Sequence, residues 1–261
     1  MSWIITGSFA QPDEPEALAY IAAVEAADGQ ALEDGVKFAY NSFIKGCKAD
    51  GIWDAIKTSC ILAGARTLDG ALVPLVGTAP TNNNFVSGDY NRETGLVGDG
   101  STKYLDSNRN NNADPQNSKH CSFYYSSIGA TNGVQHLGTA QSSGNTMIRG
   151  SAGNVTDAVV AVNSAGVHAV PGVYSATGSG FASVSRSGPN VFSTLINGAT
   201  TVITSASVAP INADIFLFKR GTDIYHSNAR LAFYSIGESL DLALLDARVT
   251  TLMSDIGAAI P

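Results

Sequence analysis

The chain has 261 residues, enough for one large β domain, or one domain with a small appendage, and for a sizeable core without cross-links. Charged residues are only 14% against 44% hydrophobic, and Gly, Ser, Thr and Asn make up the difference, which suits many short strands and turns rather than long solvated helices. A net charge of −7 argues against a nucleic-acid binder, and no apolar run reaches the roughly 18 residues of a membrane span.

At the N-terminus there is no positively charged segment of the secretory kind: the first lysine is Lys37, and Asp13, Glu14 and Glu16 precede it. The chain is therefore expected to be made in a cytoplasm without a signal peptide. The apolar stretch SWIIT at 2–6 reads either as an assembly arm that adds to a neighbour's sheet or as an ordinary first strand. Residues 15–27, with Pro15 at the first turn and Leu18, Ile21 and Val24 on one face, predict a helix stopped at Asp28-Gly29. Residues 30–46, with Leu32, Val36, Phe43 and Ile44, predict a second. A third is predicted from a cap at Asp50 through Ile52, Trp53, Ile56 and Cys60 to Gly64. This gives an arm and helical unit over 1–64 and a β domain over 65–261 that ends in a helix.

Past Gly64 the apolar period shortens. Residues 121–128, 181–187, 214–219 and 230–235 read as strands. Asn197-Gly198, between STLI and TTVIT, is a strong hairpin signal, and Asn132-Gly133 a weaker one. Turn clusters every 8–12 residues predict a mainly β, antiparallel sandwich of the jelly-roll kind. Residues 238–257 turn helical again, with Leu240, Leu244, Leu245 and Leu252 on one side.

Chemistry-bearing motifs are sparse. No zinc-protease, nucleophile-elbow, Walker or dinucleotide motif occurs, and His120, His136, His168 and His226 are scattered. Cys47, Cys60 and Cys121 are an odd, widely spaced set and read as buried apolar residues. Glycoside hydrolysis needs two carboxyl groups on one face, and no single strand supplies them. No enzyme and no obligatory cofactor are expected. One metal candidate stands out: Asp106, Asn108, Asn110 and Asp114 alternate oxygen side chains as a calcium loop does. Position six is Asn111 rather than Gly and position twelve Asn117 rather than Glu, so a polar surface loop is the alternative. Tyr90, Tyr104, Tyr124, Tyr125, Tyr174 and Tyr225 are candidates for stacking on sugars, or for the core.

Three stretches together resemble a concanavalin A-like (laminin G/pentraxin-like) jelly roll: GLVGDGSTKYLDSN at 95–108, FSTLINGATTVI at 192–203 and ARLAFYSIGESLDLALLDARVTTLM at 229–253. The resemblance implies a turn at Gly98-Asp99-Gly100-Ser101, Tyr104 pointing inward, a hairpin centred on Asn197 and Gly198, and a last strand at Phe233-Tyr234 followed by a helix on the sandwich edge. Residues 19–82, with Gly51-Ile52-Trp53, Ile56 and Leu62, resemble a segment that precedes such a domain in bacteriophage virion proteins. There Trp53 would pack the helices onto the sandwich. This second resemblance implies a virion structural protein without catalytic residues. Its expected partners are other virion proteins, further copies of itself (a trimer favoured) and host-surface polysaccharide. The expected role is a tail-associated or fibre-type protein; a capsid decoration (cement) protein is the first alternative and a glycan-cleaving enzyme the second.

Overall fold

The structure, a computed structural model, describes residues 11–130, 132–140, 142–174, 178–221 and 225–261. The SWIIT segment lies outside them. Two helices come first, α1 (Pro15–Asp28) and α2 (Asp34–Ala49). Strand β1 (Ile56–Ile61) and the short α3 (Leu68–Ala71) follow. Next are β2 (Thr81–Asn83), β3 (Tyr90–Asn91), β4 (Gly95–Val97), β5 (Tyr104–Asn110) and β6 (Lys119–Ser127). Then come β7 (Gln135–Gly138), β8 (Asn145–Ser151), β9 (Asn154–Ser164), β10 (His168–Val170) and β11 (Gly180–Arg186). The chain closes with β12 (Val191–Ile196), β13 (Ala199–Thr204), β14 (Asp214–Leu217), β15 (Arg230–Gly237) and α4 (Leu242–Ala259).

These elements stack in three layers. One sheet has the order β13-β12-β11-β6-β15-β4-β3, with β1 also paired to β15; the other has the order β10-β9-β8-β7-β14-β5-β2. Every pairing between named strands is antiparallel. The predicted mainly β sandwich with terminal helices is the architecture found. Alternation along each strand explains the layering, because successive side chains face opposite ways. Cys121, Phe123 and Tyr125 of β6 meet Leu137, Ile148 and Val160 of the second sheet in one core. Phe181, Leu195 and Phe233 point the other way, into a second core with α1, α2 and α4. There Phe43 of α2 meets Phe233 edge-on at 5.7 Å. Arg248 of α4 grips Asp50 at the end of α2 through two bonds of 2.7 and 2.9 Å.

The third predicted helix is a strand. Only Trp53–Ala55 makes a helical turn; Ile56–Ile61 then pairs with β15 from Gly237 to Phe233. Its residues are buried on both faces, so a nearly continuous apolar run imitates helical spacing. Strand β1, within the predicted helical unit, is thus hydrogen-bonded into the first sheet. Trp53 is half-buried against the helix-layer core.

Helix faces also differ in detail. On α1, Leu18 is 49% exposed, and Ala17, Tyr20, Ile21 and Val24 make the buried stripe. On α4, Leu244 faces out, while Leu245, Val249, Leu252 and Ile256 are buried. The four residues predicted for the second helix's apolar face are all buried, Leu32 lying just before α2 begins. All three cysteines are free and buried.

Asn197-Gly198 forms the β12–β13 hairpin, with φ of 49° and 77°, the left-handed pair a two-residue turn requires. Asn197 also bonds outward: its Oδ1 accepts from the Tyr125 hydroxyl at 2.8 Å and its Nδ2 donates to the Val173 carbonyl at 2.7 Å. Gly198→Ala meets no atom within 4 Å but must hold a positive φ. It is expected to cost about 1 kcal/mol, read as a fall of about 2–4 °C in Tm. An unchanged Tm would contradict the turn assignment. Asn132-Gly133 is not a hairpin; it links β6 of one sheet to β7 of the other.

Candidate functional site

Among the described residues, the helices pack on the first sheet and leave the outer face of the second without helical cover. Met147, Val159 and Ala161 form a small apolar cluster there, on the side of β8 and β9 opposite Ile148 and Val160. The connection between β14 and β15 reaches this face where its Arg220 meets Met147. Its ends are pinched together: the Ser227 N–H donates to the Phe218 carbonyl at 2.7 Å, and the Phe218 N–H to the His136 carbonyl at 2.8 Å. Phe218 has φ 67°, an unfavourable conformation for a bulky side chain that costs of order 1–3 kcal/mol. Burial against Phe85, with ring centroids 5.0 Å apart, offsets that cost. The loop return is also anchored, because the Gln135 N–H donates to the Tyr225 carbonyl at 2.9 Å.

This loop brings cations and rings to the face. Lys219 Nζ sits 3.7 Å from the centroid of Tyr104 and 4.9 Å from that of Phe216, and the two rings meet edge-on at 5.8 Å. Arg220 reaches the Met147 sulfur at 3.3 Å. Beside it opens a cleft of about 400 Å³, lined by Asn132, Gln135, Arg149, Arg220 and Tyr225 among the described residues. Tyr225 is 53% exposed. Gln135 is 1% exposed: its Nε2 donates to the Gly133 carbonyl, while its Oε1 has no hydrogen-bond partner. Arg149 donates from Nη1 to the Gly150 carbonyl at 2.9 Å, while its buried Nε has none. Burial, with Arg220 nearby, makes the charged form of Arg149 less favourable than usual. Clefts of about 340 and 390 Å³ beside α4 have no cation among their described lining residues.

The sequence candidates fall as follows. Leu105 fills the core, and Tyr104 is half-buried among Phe216, His226 and Lys219 while also packing against that core. Tyr125 and Tyr174 are core residues, and Tyr225 is the exposed one. Asp106, Asn108 and Asn110 lie along strand β5 rather than round a tight loop. Asp106 Oδ1 accepts from the Asn108 N–H at 2.9 Å; Asn108 donates to the Ala79 carbonyl and to Thr81; Asn110 donates to Asn212 at 2.8 Å. Asp114 is buried elsewhere, between Arg109 and Lys119. The four calcium-loop candidates are therefore not gathered round a point. Among the described residues no group of three or more His, Cys, Asp or Glu converges on one. Asp99 closes its own turn, its Oδ1 accepting from the backbone of Ser101, Thr102 and Lys103.

Sequence reasoning missed the cleft because its parts come from β7, β8 and the β14–β15 loop, roughly 90 residues apart in the chain. It also missed that burial and, to a lesser degree, the charge of Asp214 on the neighbouring strand β14 raise the Asp106 carboxyl above its usual range. Neither acid shares a strand with the other, so no one-strand search finds the pair.

Among the described residues no helix is long and apolar enough to cross a membrane. No protein-family model and no curated protein sequence matches the chain. Solved structures do. The botulinum neurotoxin serotype D binding domain superposes with a TM-score of 0.52 at 12% identity, covering 76% of this chain and 51% of that one. A mutant of Trypanosoma rangeli sialidase with trans-sialidase activity superposes at 0.50 and 10% identity, covering 83% and 38%. The chain thus spans about half the length of the first and less of the second. What these likenesses establish is the fold alone: this chain is an antiparallel β-sandwich.

Proposed function

We propose that this chain binds glycans without cleaving them, as a tail-associated or fibre-type protein of a bacteriophage virion. The observation that carries glycan binding is the cleft on the outer sheet face. An exposed tyrosine ring stands there beside a buried acceptor, Gln135 Oε1, and a buried donor, Arg149 Nε, both without partners. A sugar ring presents apolar C–H faces and polar hydroxyl edges, and this combination matches both. The neighbours named as a binding domain and a sialidase support the reading at the level of the fold. The virion placement is supported by the resemblance of residues 19–82 and by the low charge content of the chain. Its partners are then other virion proteins, further copies of itself in a closed symmetric assembly, and host-surface polysaccharide.

Purified protein is expected to bind host envelope polysaccharide saturably and to release no new reducing ends over long incubation. Failure to bind any envelope fraction would sink the proposal. The number of copies per purified particle checks the placement: a low number fits a tail appendage, whereas one copy or trimer per capsid lattice site fits a decoration protein. Hydrolysis is the second reading, favoured by the Asp106 carboxyl, which burial and, to a lesser degree, the charge of Asp214 raise above its usual range, as a general acid needs. Under it reducing ends would appear, and Asp106→Asn would abolish them.

A further inference from the structure

We infer that the cleft selects a sugar bearing a single carboxylate, a uronic- or sialic-acid class of residue, with Arg149 holding the carboxylate and Gln135 a neighbouring hydroxyl. The inference rests on the glycan-binding reading and names its ligand class.

The two unpartnered atoms set the chemistry. Gln135 lines the cleft with its Nε2 committed to the Gly133 carbonyl and its buried Oε1 left without a hydrogen-bond partner. A buried carbonyl oxygen with no donor costs about 1–3 kcal/mol, and a ligand hydroxyl relieves it. Arg149 Nε is a buried donor without an acceptor. A guanidinium pairs best with a planar, two-oxygen anion, which a carboxylate provides and a hydroxyl does not. Arg220 places a second guanidinium on the same cleft. Sequence position agrees with this pairing of roles: Gln135 and Arg149 are register partners on β7 and β8, so their side chains start from adjacent points.

Charge on the rest of the molecule narrows the ligand further. With 22 acidic and 15 basic residues, the chain repels a polyanion at long range. A highly sulfated or phosphorylated chain would need a broad basic surface. The cleft offers a local cationic spot, which suits one carboxylate on an otherwise neutral sugar. Tyr225, at the rim, supplies the ring on which that sugar lies.

The test is a titration of the whole protein with glucuronate, and with glucose as the uncharged probe, followed by NMR at the Arg149 Nε–H and the Gln135 side-chain amide. Glucuronate is expected to shift both signals, glucose to bind at least about tenfold more weakly, and Arg149→Gln to weaken glucuronate about tenfold or more. If glucuronate leaves both signals unmoved, or glucose binds as well, the inference is overturned. Inorganic phosphate binding as tightly as glucuronate would overturn it too, since the sugar would then contribute nothing. Should the variant fold poorly, the shifts in the unaltered protein decide. The two readings fail separately. Neutral glycans that bind and are lost with Tyr225→Ala, while glucuronate moves nothing, remove only the carboxylate. Glycan binding untouched by Tyr225→Ala removes the cleft altogether.

Discussion

Asp114→Asn is expected to destabilise the protein by about 3–5 kcal/mol, the cost of leaving a buried charge without its counter-ion. Lys119 is fully buried, and its Nζ has two partners, Asp114 Oδ2 at 2.8 Å and the Asn111 carbonyl at 3.2 Å. The other carboxylate oxygen is taken by Arg109. Burial works against the Asp114 carboxylate, but the two cations hold its carboxyl below the usual range. The asparagine keeps the shape and removes the charge, so the ammonium is left facing neutral oxygens at the β5–β6 crossover between the sheets. In thermal unfolding the loss corresponds to roughly 10 °C. The double variant Asp114→Asn with Lys119→Met is expected to recover part of the loss, because it removes the stranded cation. A single variant as stable as the parent, or a double variant additive in its losses, would contradict the ion-pair account.

Acidification from pH 7.5 to 4.5 is expected to remove a further share of stability of similar size. His120 is buried, with Nδ1 2.6 Å from the Glu238 carbonyl oxygen and Nε2 2.7 Å from the Ser235 hydroxyl. His136 is buried with Nδ1 2.9 Å from the Ser227 hydroxyl and Nε2 unpartnered. Burial pushes their pKa values down to about 4 and about 3. An unfolded histidine titrates near 6.5. Between about pH 6.5 and 4 the unfolded chain therefore binds up to two protons that the folded chain does not. Stability is complete above 6.5 and falls as pH drops through this window, by about 5 kcal/mol at pH 4.5 for the pair together. That is a large part of the 5–15 kcal/mol of an ordinary domain. Denaturant unfolding across the range measures it, and His136→Gln is expected to reduce the slope by about one proton. A flat profile from pH 7.5 to 4.5 would contradict the buried neutral state of both rings.

What the sequence disclosed was what depends on near neighbours in the chain. The apolar face of α2, the Asn197-Gly198 turn and the strands around Phe123, Phe181 and Phe233 all follow from local spacing. It failed where pairing across the molecule overrides local pattern. Ile56 to Ile61 has helix-like spacing, yet becomes a strand because β15 offers a partner edge and both its faces find apolar cover. The Asp106–Asp114 alternation has the right oxygens for calcium, but the first three sit along strand β5 with hydrogen bonds of their own and two cations claim the fourth. The cleft was illegible for a related reason. Gln135, Arg149 and Tyr225 carry no common motif, and their meeting depends on the β7–β8 register and on a loop pinned at Phe218 and Ser227. A partial signal existed in Tyr225, which stands outside any alternating strand in the sequence and is, among the described residues, the one large aromatic side chain found largely exposed.

The central claim is that the outer face of the second sheet binds glycan, and the affinity of Tyr225→Ala for a bound envelope polysaccharide tests it most directly. The account predicts a loss of about tenfold or more, with an unchanged Tm and with no comparable loss from Leu244→Ala on the exposed side of α4. Equal affinity of Tyr225→Ala and the parent protein, or a loss found only with the α4 variant, would contradict it.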